Sequence, residues 1–290
     1  MFERIQRLLA EHGILLSAVI SLADCTIKKS YLLERSGIGE AGTAVIFAIP
    51  YHTPACENPD RNLSRYAVGR DYHLFVKELS QSLLPLLQTE FPSSRFALFA
   101  DHSPIDEREA AAKAGLGIIG RHGLLITEPY SSYVFVGELI TDEPLPSQLR
   151  ATHKITYCEN CGACLAACPY FKGEIGECLS ALTQKKGALT PQEKQALIRY
   201  GTVWGCDICQ EACPHTKKAL LTARISSPIA FFHHTPTACL TYNGIREMSD
   251  AEFAERAYSW RGREVILRNL AITEHENEGE QTNCEKPKRP

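Results

Sequence analysis

The spacing of apolar residues changes several times along this chain, and each change marks an element. Phe2, Ile5, Leu8 and Leu9 recur at helical spacing, so the first thirteen residues are predicted to form an amphipathic helix. Apolar, β-rich runs follow at Ile14 to Ile20 and Ala44 to Ile49. The second is stopped by Pro50 and reads as a central strand buried on both faces. Between residues 71 and 91, Phe75, Leu79, Leu83 and Leu87 step by four, which predicts a core-facing helix bent at Pro85. Arg95 to Ala100 is a short strand, and Asp101 stands where it ends. Ser103-Pro104-Ile105-Asp106 then resembles a helix start, with Ser103 as cap and Pro104 in the first turn, and Glu107 to Ala114 continues it. Apolar runs at Gly123 to Thr127 and Tyr133 to Ile140 complete this half. Helices alternating with apolar strands predict an α/β (α+β) layer.

Beyond it the pattern loosens. Asp142 to Leu149 carries two prolines and reads as a linker, and Pro191 to Tyr200 is helical. Ser249 with Glu252 makes a capping box that opens a helix running to about Arg263. Glu274 to Pro290 is polar and predicted disordered. The expected domains are 1–148, 149–225, a helical extension over 226–273 and a tail over 274–290.

Composition narrows the setting. A chain of 290 residues buries one substantial core with room for a second small domain. Its formal net charge of -3 offers no general attraction for phosphate, although basic pairs occur at Lys185-Lys186 and Lys217-Lys218 and arginines gather between Arg256 and Arg268. Single charges of this kind are ordinarily solvated surface. No apolar run approaches the ~20 residues that cross a bilayer. The N-terminal pattern is not that of an export leader, and the expected location is cytoplasmic, where thiols stay reduced.

Eight cysteines between residues 158 and 213 carry the chemistry. They fall as Cys158, Cys161, Cys164 and Cys168-Pro169, then Cys178, then Cys206, Cys209 and Cys213-Pro214. The first run has the spacing of bacterial two-cluster ferredoxins. There, three thiolates two residues apart hold one cubane and the fourth, followed by proline, reaches the other cluster. The pairing this predicts is Cys158, Cys161, Cys164 and Cys213 on cluster A, and Cys168, Cys206 and Cys209 on cluster B. A strict repeat would place the last thiolate at Val203, which cannot ligate iron, so Cys178 is its substitute. Structural zinc is the competing reading, but it does not call for a third thiolate at the same step or for two C-x-x-x-C-P endings. Trp204, just before Cys206, is expected to cover a cluster, and Cys25, Cys56, Cys239 and Cys284 are ordinary thiols.

Gly115-Leu-Gly117-Ile-Ile-Gly120 matches the dinucleotide fingerprint, but the fingerprint requires a strand before and a helix after. Here the order is reversed, so the glycines read as a tight helix-to-strand loop that lets backbone approach a large ligand.

Several separated segments together resemble the epoxyqueuosine reductases. They are Tyr66-Ala-Val-Gly-Arg-Asp-Tyr-His73, Asp101-His-Ser-Pro104, Lys113-Ala-Gly-Leu-Gly-Ile-Ile-Gly-Arg121, Gly137-Glu-Leu139 and Gly205-Cys-Asp-Ile-Cys-Gln-Glu-Ala-Cys-Pro214. The resemblance implies a nitroreductase-like domain that binds base-off cobalamin and substrate, followed by a ferredoxin-like domain with two [4Fe-4S] clusters. It implies reduction of epoxyqueuosine to queuosine in the tRNA anticodon, with a low-potential electron donor, no membrane and a monomeric chain. Asp101 matches the proton donor, and Asp101, Leu125, Val136, Ser180, Cys206 and Asp207 match the cobalamin contacts. No D-x-H-x-x-G corrinoid motif is present, since Val76 stands where Asp71-Tyr72-His73 would need a glycine. The family's cofactor uses no such histidine.

Burial after the run Phe96 to Ala100 is expected to raise the Asp101 pKa, with His102 and His122 as neighbours. The alternative is a turn aspartate bonded to backbone. Many members of the family continue into helical repeats that help grip tRNA, and this chain is read as a short form that stops near Asn269 to Ile272. Two other readings stay open: a corrinoid reductase of a small molecule, resembling reductive dehalogenases, which use a tyrosine acid, and a non-catalytic iron-sulfur electron carrier.

Overall fold

A computed structural model describes residues 1–39, 41–146, 155–222 and 224–274. The first half runs α1 (Phe2–Glu11), β1 (Leu16–Ser21), α2 (Ser30–Ser36), β2 (Thr43–Pro50), α3 (Tyr72–Glu90), β3 (Phe96–Ala100), α4 (Glu107–Lys113), β4 (Ile118–Ile119), β5 (Leu125–Ile126) and β6 (Val134–Thr141). The second half is helical: α5 (Ala163–Ala167), α6 (Leu179–Thr183), α7 (Pro191–Tyr200), α8 (Ile208–Glu211), α9 (Pro214–Leu221), α10 (Tyr242–Glu247), α11 (Asp250–Ala254) and α12 (Arg263–Glu274).

The chain divides into two compact units that are discontinuous in sequence. The first comprises Met1–His52, Tyr72–Cys161 and Pro214–Ala230, and the second Thr53–Asp71, Gly162–Cys213 and Phe231 onward. Within the first unit a four-stranded antiparallel sheet has the order β1-β2-β6-β3. β2 is buried along its whole length, as its unbroken apolar run requires. One sheet face, with Ala18, Ile20, Ala44, Ile46, Val136 and Ile140, packs on Ala110, Ala111 and Ala114 at α4. The small alanines let the helix lie close. Gly137 in β6 has a similar purpose, since a Cβ there would fall 2.5 Å from the Phe47 ring. β4 and β5 form a separate antiparallel ribbon.

The helix α3 runs through Pro85 and buries the four residues that its spacing selected. α4 begins later than the sequence suggests. Its cap is Asp106, which accepts the Glu109 N–H at 3.2 Å, whereas Ser103 accepts the Ile105 N–H at 3.1 Å in a tight turn ahead of the helix. The Ser249 capping box is present, but the helix it opens ends at Ala254, and α12 starts afresh at Arg263 after a single turn at Ser259–Arg261.

The second unit has its own apolar core, with Leu63, Val68, Val203, Trp204, Ile245, Tyr258, Ile266 and Leu270. Trp204 is fully buried in it, donates Nε1–H to the Tyr66 hydroxyl at 2.7 Å and meets Tyr258 edge-on at 6.3 Å. It is therefore a core side chain of this unit. The predicted linker after Leu145 and the predicted tail beyond Glu274 lie outside the described residues.

Candidate functional site

Asp101 leaves the end of β3 in the left-handed region, at φ +62°, which a short polar side chain tolerates better than others. That twist turns its carboxylate outward, and the side chain is 70% exposed. The Asp101 N–H is retained by the Glu107 carboxylate at 3.1 Å. His73, in the first turn of α3, brings Nε2 to 3.7 Å from Asp101 Oδ2. Nearby, His102 is held at 3.0 Å by Lys29 Nζ through one ring nitrogen and at 3.0 Å by the Tyr31 hydroxyl through the other. His73 foremost, with Lys29 and His102 adding, holds the Asp101 carboxyl below its usual range against a smaller effect of burial. The expectation that burial raises it is overturned, because the positive φ carries the side chain away from the apolar strand.

The carboxyls displaced upward are the two behind it. Glu107, at the start of α4, is pushed by burial up to about 7, and the Asp101 charge adds to this. Glu138 lies in β6, opposite Ile46 of β2 and Phe99 of β3, and is fully buried. Neither of its oxygens has a hydrogen-bond partner at close range among the described residues. Burial first and the neighbouring Glu107 second push it up to about 8, offset in part by the Ser103 hydroxyl. This acid inside a largely apolar strand is a signal that the sequence offers.

Leu125 and Val136 are core residues, 3% and 7% exposed. The glycine-rich segment follows α4 and contains β4, with Ile118 and Ile119 between Gly117 and Gly120, so a helix precedes it and a strand, not a helix, comes next. At Gly117 an added Cβ would strike the Ile126 carbonyl oxygen at 2.4 Å. The close approach is thus backbone against backbone at Gly117, and backbone against the His122 ring at Gly120, where an added Cβ would fall 2.5 Å from it.

In the second unit the cluster B thiols lie near one another. Cys168 caps the C-terminus of α5, Cys178 the N-terminus of α6, and Cys206 and Cys209 flank the start of α8, which packs on α5. Burial pushes the Cys209 thiol up to about 12, with Cys168, Cys178 and Cys164 contributing, and raises Cys206 with Cys209 and Cys178 contributing. Thiols packed this way lose their protons when a metal cluster takes them as ligands. Of the four cysteines expected on cluster A, Cys164 and Cys213 are buried, Cys158 is partly buried and Cys161 is exposed.

Asp207, between the two cluster B cysteines of the second run, has a fully buried side chain. It pairs with Arg61 Nη1 at 2.8 Å and Arg65 Nη1 at 3.6 Å, accepts the Arg65 backbone N–H at 2.8 Å, and accepts from the Ser64 hydroxyl. Arg61 and Arg65 also reach Glu211, and Arg65 reaches Glu57. Gly205 makes room for this, at φ +71° with Ser64 Cβ 2.5 Å from where its own would be. These arginines, far away in sequence, carried no signal in their spacing. Ser180 sits in the first turn of α6 and accepts from Gln184 Nε2 at 3.3 Å. Cys56 is a buried thiol and Cys25 a partly buried one, Cys25 raised to about 12 and Cys56 also raised by burial, and neither is reactive by position.

Comparison with known proteins bears on both units. The family described as "4Fe-4S double cluster binding domain" matches residues 157–216, and "Epoxyqueuosine reductase QueG, DUF1730" matches residues 35–102. The chain is 33% identical over 219 residues to the epoxyqueuosine reductase of Gloeobacter violaceus, covering 73% of this chain and 68% of that protein. It is 36% identical over 166 residues to that of Aliivibrio fischeri, spanning 55% of this chain and 44% of the relative. A solved epoxyqueuosine reductase with an epoxyqueuosine-modified tRNA-Tyr stem loop shares the fold, with a TM-score of 0.67 at 22% identity over 94% of this chain and 81% of that one. An iron-sulfur double-cluster segment and a matching N-terminal region thus occur together in one chain, aligned over two thirds of a relative's length. The chain belongs to the epoxyqueuosine reductase family.

Proposed function

We propose that this protein reduces epoxyqueuosine to queuosine in the anticodon loop of tRNA, with two [4Fe-4S] clusters and base-off cobalamin as cofactors. Family membership supports the reaction, and the relative solved with a modified stem loop supports tRNA as the substrate. The observation that carries the reading is the occurrence in one chain of a double-cluster thiolate set and an outward-turned aspartate at a strand end.

The chemistry explains why both are needed. Converting an epoxide to an alkene breaks two C–O bonds, forms one C=C bond and releases water, so it consumes two electrons and two protons. The bound clusters and cobalamin supply those electrons at low potential, one at a time from an external donor. Asp101 supplies a proton to the departing oxygen. Its carboxyl is ionised in the open site, where His73 faces it. Covering by substrate excludes water and disfavours the charged form, which brings the carboxyl into range to hold a proton. The residues proposed to contact the corrinoid are Asp101, Leu125, Val136, Ser180, Cys206 and Asp207. Of these Asp101 has the exposure a direct contact needs, while Leu125, Val136 and Asp207 act from within the core.

The test is anaerobic purification with added cobalamin, then iron, sulfide and cobalt analysis and mass analysis of nucleosides from epoxyqueuosine-containing tRNA. About eight irons, bound cobalt and conversion to queuosine are expected. Clusters and cobalt without conversion would overturn the substrate, and clusters without cobalt would overturn the corrinoid.

A further inference from the structure

The proposed reaction consumes two protons, and one aspartate carries one. The surroundings of Asp101 offer a source for the second. Glu107 holds the Asp101 N–H at 3.1 Å, so its carboxyl lies against the loop that presents the acid. Glu138 is the buried neighbour of Glu107, on the sheet face that α4 covers, with no hydrogen-bond partner for either oxygen among the described residues. A fully buried carboxylate with no cation and only the Ser103 hydroxyl to meet its charge would be strongly unfavourable, so Glu138 is stable there as the neutral acid.

We infer that Glu107 and Glu138 form a coupled carboxyl pair that stores a proton behind the Asp101 loop and restores Asp101 between the two protonations of one turnover. In this inference, which rests on the reaction proposed above, Asp101 protonates the epoxide oxygen as the first C–O bond breaks. The stored proton then recharges Asp101, which protonates the hydroxyl that leaves as water as the second C–O bond breaks. The two electrons come from the external donor through the clusters, and the pair is refilled from solvent. Glu107 is also a positioning residue, since its carboxylate fixes the left-handed Asp101 backbone.

The groups facing this pair are few. Asp101, Asp106 and Arg108 act on Glu107, the Ser103 hydroxyl acts on Glu138, and Cys25 near Glu138 also feels Asp24, Glu109 and Lys113. His73, His102 and Lys29 face Asp101. The two carboxyls titrate near 7 and 8, and because they repel one another the steps belong to the pair.

Infrared spectroscopy of the full-length protein across pH tests this independently of activity. The wild type should show protonated-carboxyl absorption at neutral pH, lost in two steps. Glu138→Gln and Glu107→Gln should each leave one step, moved to lower pH because the like-charged partner is gone. The alkaline limb of the turnover profile should move down with it in Glu138→Gln. No protonated carboxyl at neutral pH in the wild type, an unmoved remaining step, or an unmoved alkaline limb would each overturn the pair. A signal persisting in the double variant would do the same. Missing steps alongside normal conversion would overturn the pair alone. Intact steps with no conversion at any pH would overturn the proposed reaction, and with it the pair's part in turnover.

Discussion

At Asp101 a single backbone angle decides the chemistry. Had the residue continued β3 it would have been half-buried and raised in pKa. At φ +62° it is instead exposed and lowered by His73. Asp101→Asn removes the transferable proton and keeps the size, so it is expected to retain iron and cobalt while turnover drops by roughly two to four orders of magnitude. Turnover near the wild-type rate, measured on modified tRNA, would remove the proton-donor role. Glu138 makes a separate claim about stability. Its folded pKa, about 8, lies above its usual value of 4.5, so the folded state binds the extra proton in that window. Stability is then greatest below pH 4.5 and falls as pH rises to about 8. Glu138→Gln should remove the Glu138 share of that slope, leaving the smaller share of Glu107, and be more stable than wild type at alkaline pH by on the order of 4 kcal/mol. Denaturant unfolding across pH would read the difference, and parallel curves for the two proteins would show that Glu138 ionises freely.

At the scale of elements, the iron-binding loop depends on a tie that no motif announces. Gly205-Cys-Asp-Ile-Cys209 is held because Asp207 has its charge met by Arg61 and Arg65 and its remaining lone pairs by Ser64 and backbone. Replacing one member of a buried ion pair strands the others without a counter-charge. Asp207→Ala is expected to cost about 3–5 kcal/mol and to lose cluster B first, since the loop carrying Cys206 and Cys209 loses its anchor. Iron content and chemical denaturation would check both parts, and a variant with normal iron and stability would show the tie to be dispensable. Element ends are set by the same kind of tertiary contact. Ser103 offers a capping hydroxyl, yet Asp106 makes the cap, because β3 delivers the chain to α4 through a turn that occupies Ser103. The helix after Ser249 stops at Ala254 although nothing like proline stands there.

In the whole molecule, the thiols proposed for cluster B lie at the ends of α5 and α6 and around the start of α8, separated by up to 41 positions between Cys168 and Cys209. Cys178 is the one member outside a C-x-x-C run. Cys178→Ala should lower iron by about four per chain and spare the other cluster, and an unchanged iron content and visible spectrum would show that the fourth ligand lies elsewhere. The sequence by itself determined the local chemistry: the strand and helix periods, the buried run of β2 and the ferredoxin spacing of the cysteines. Each of these depends on residues within a few positions of one another, where the backbone geometry is fixed in advance. It could not show that Thr53–Asp71 joins the cysteine-rich unit, that Arg61 and Arg65 meet Asp207, or that Glu107 and Glu138 lie behind Asp101. Those depend on which faces the chain brings together over 31 to 146 residues, as between Glu107 and Glu138 or Arg61 and Asp207. Charge and burial at such places are properties of the packing, and spacing carries no record of them.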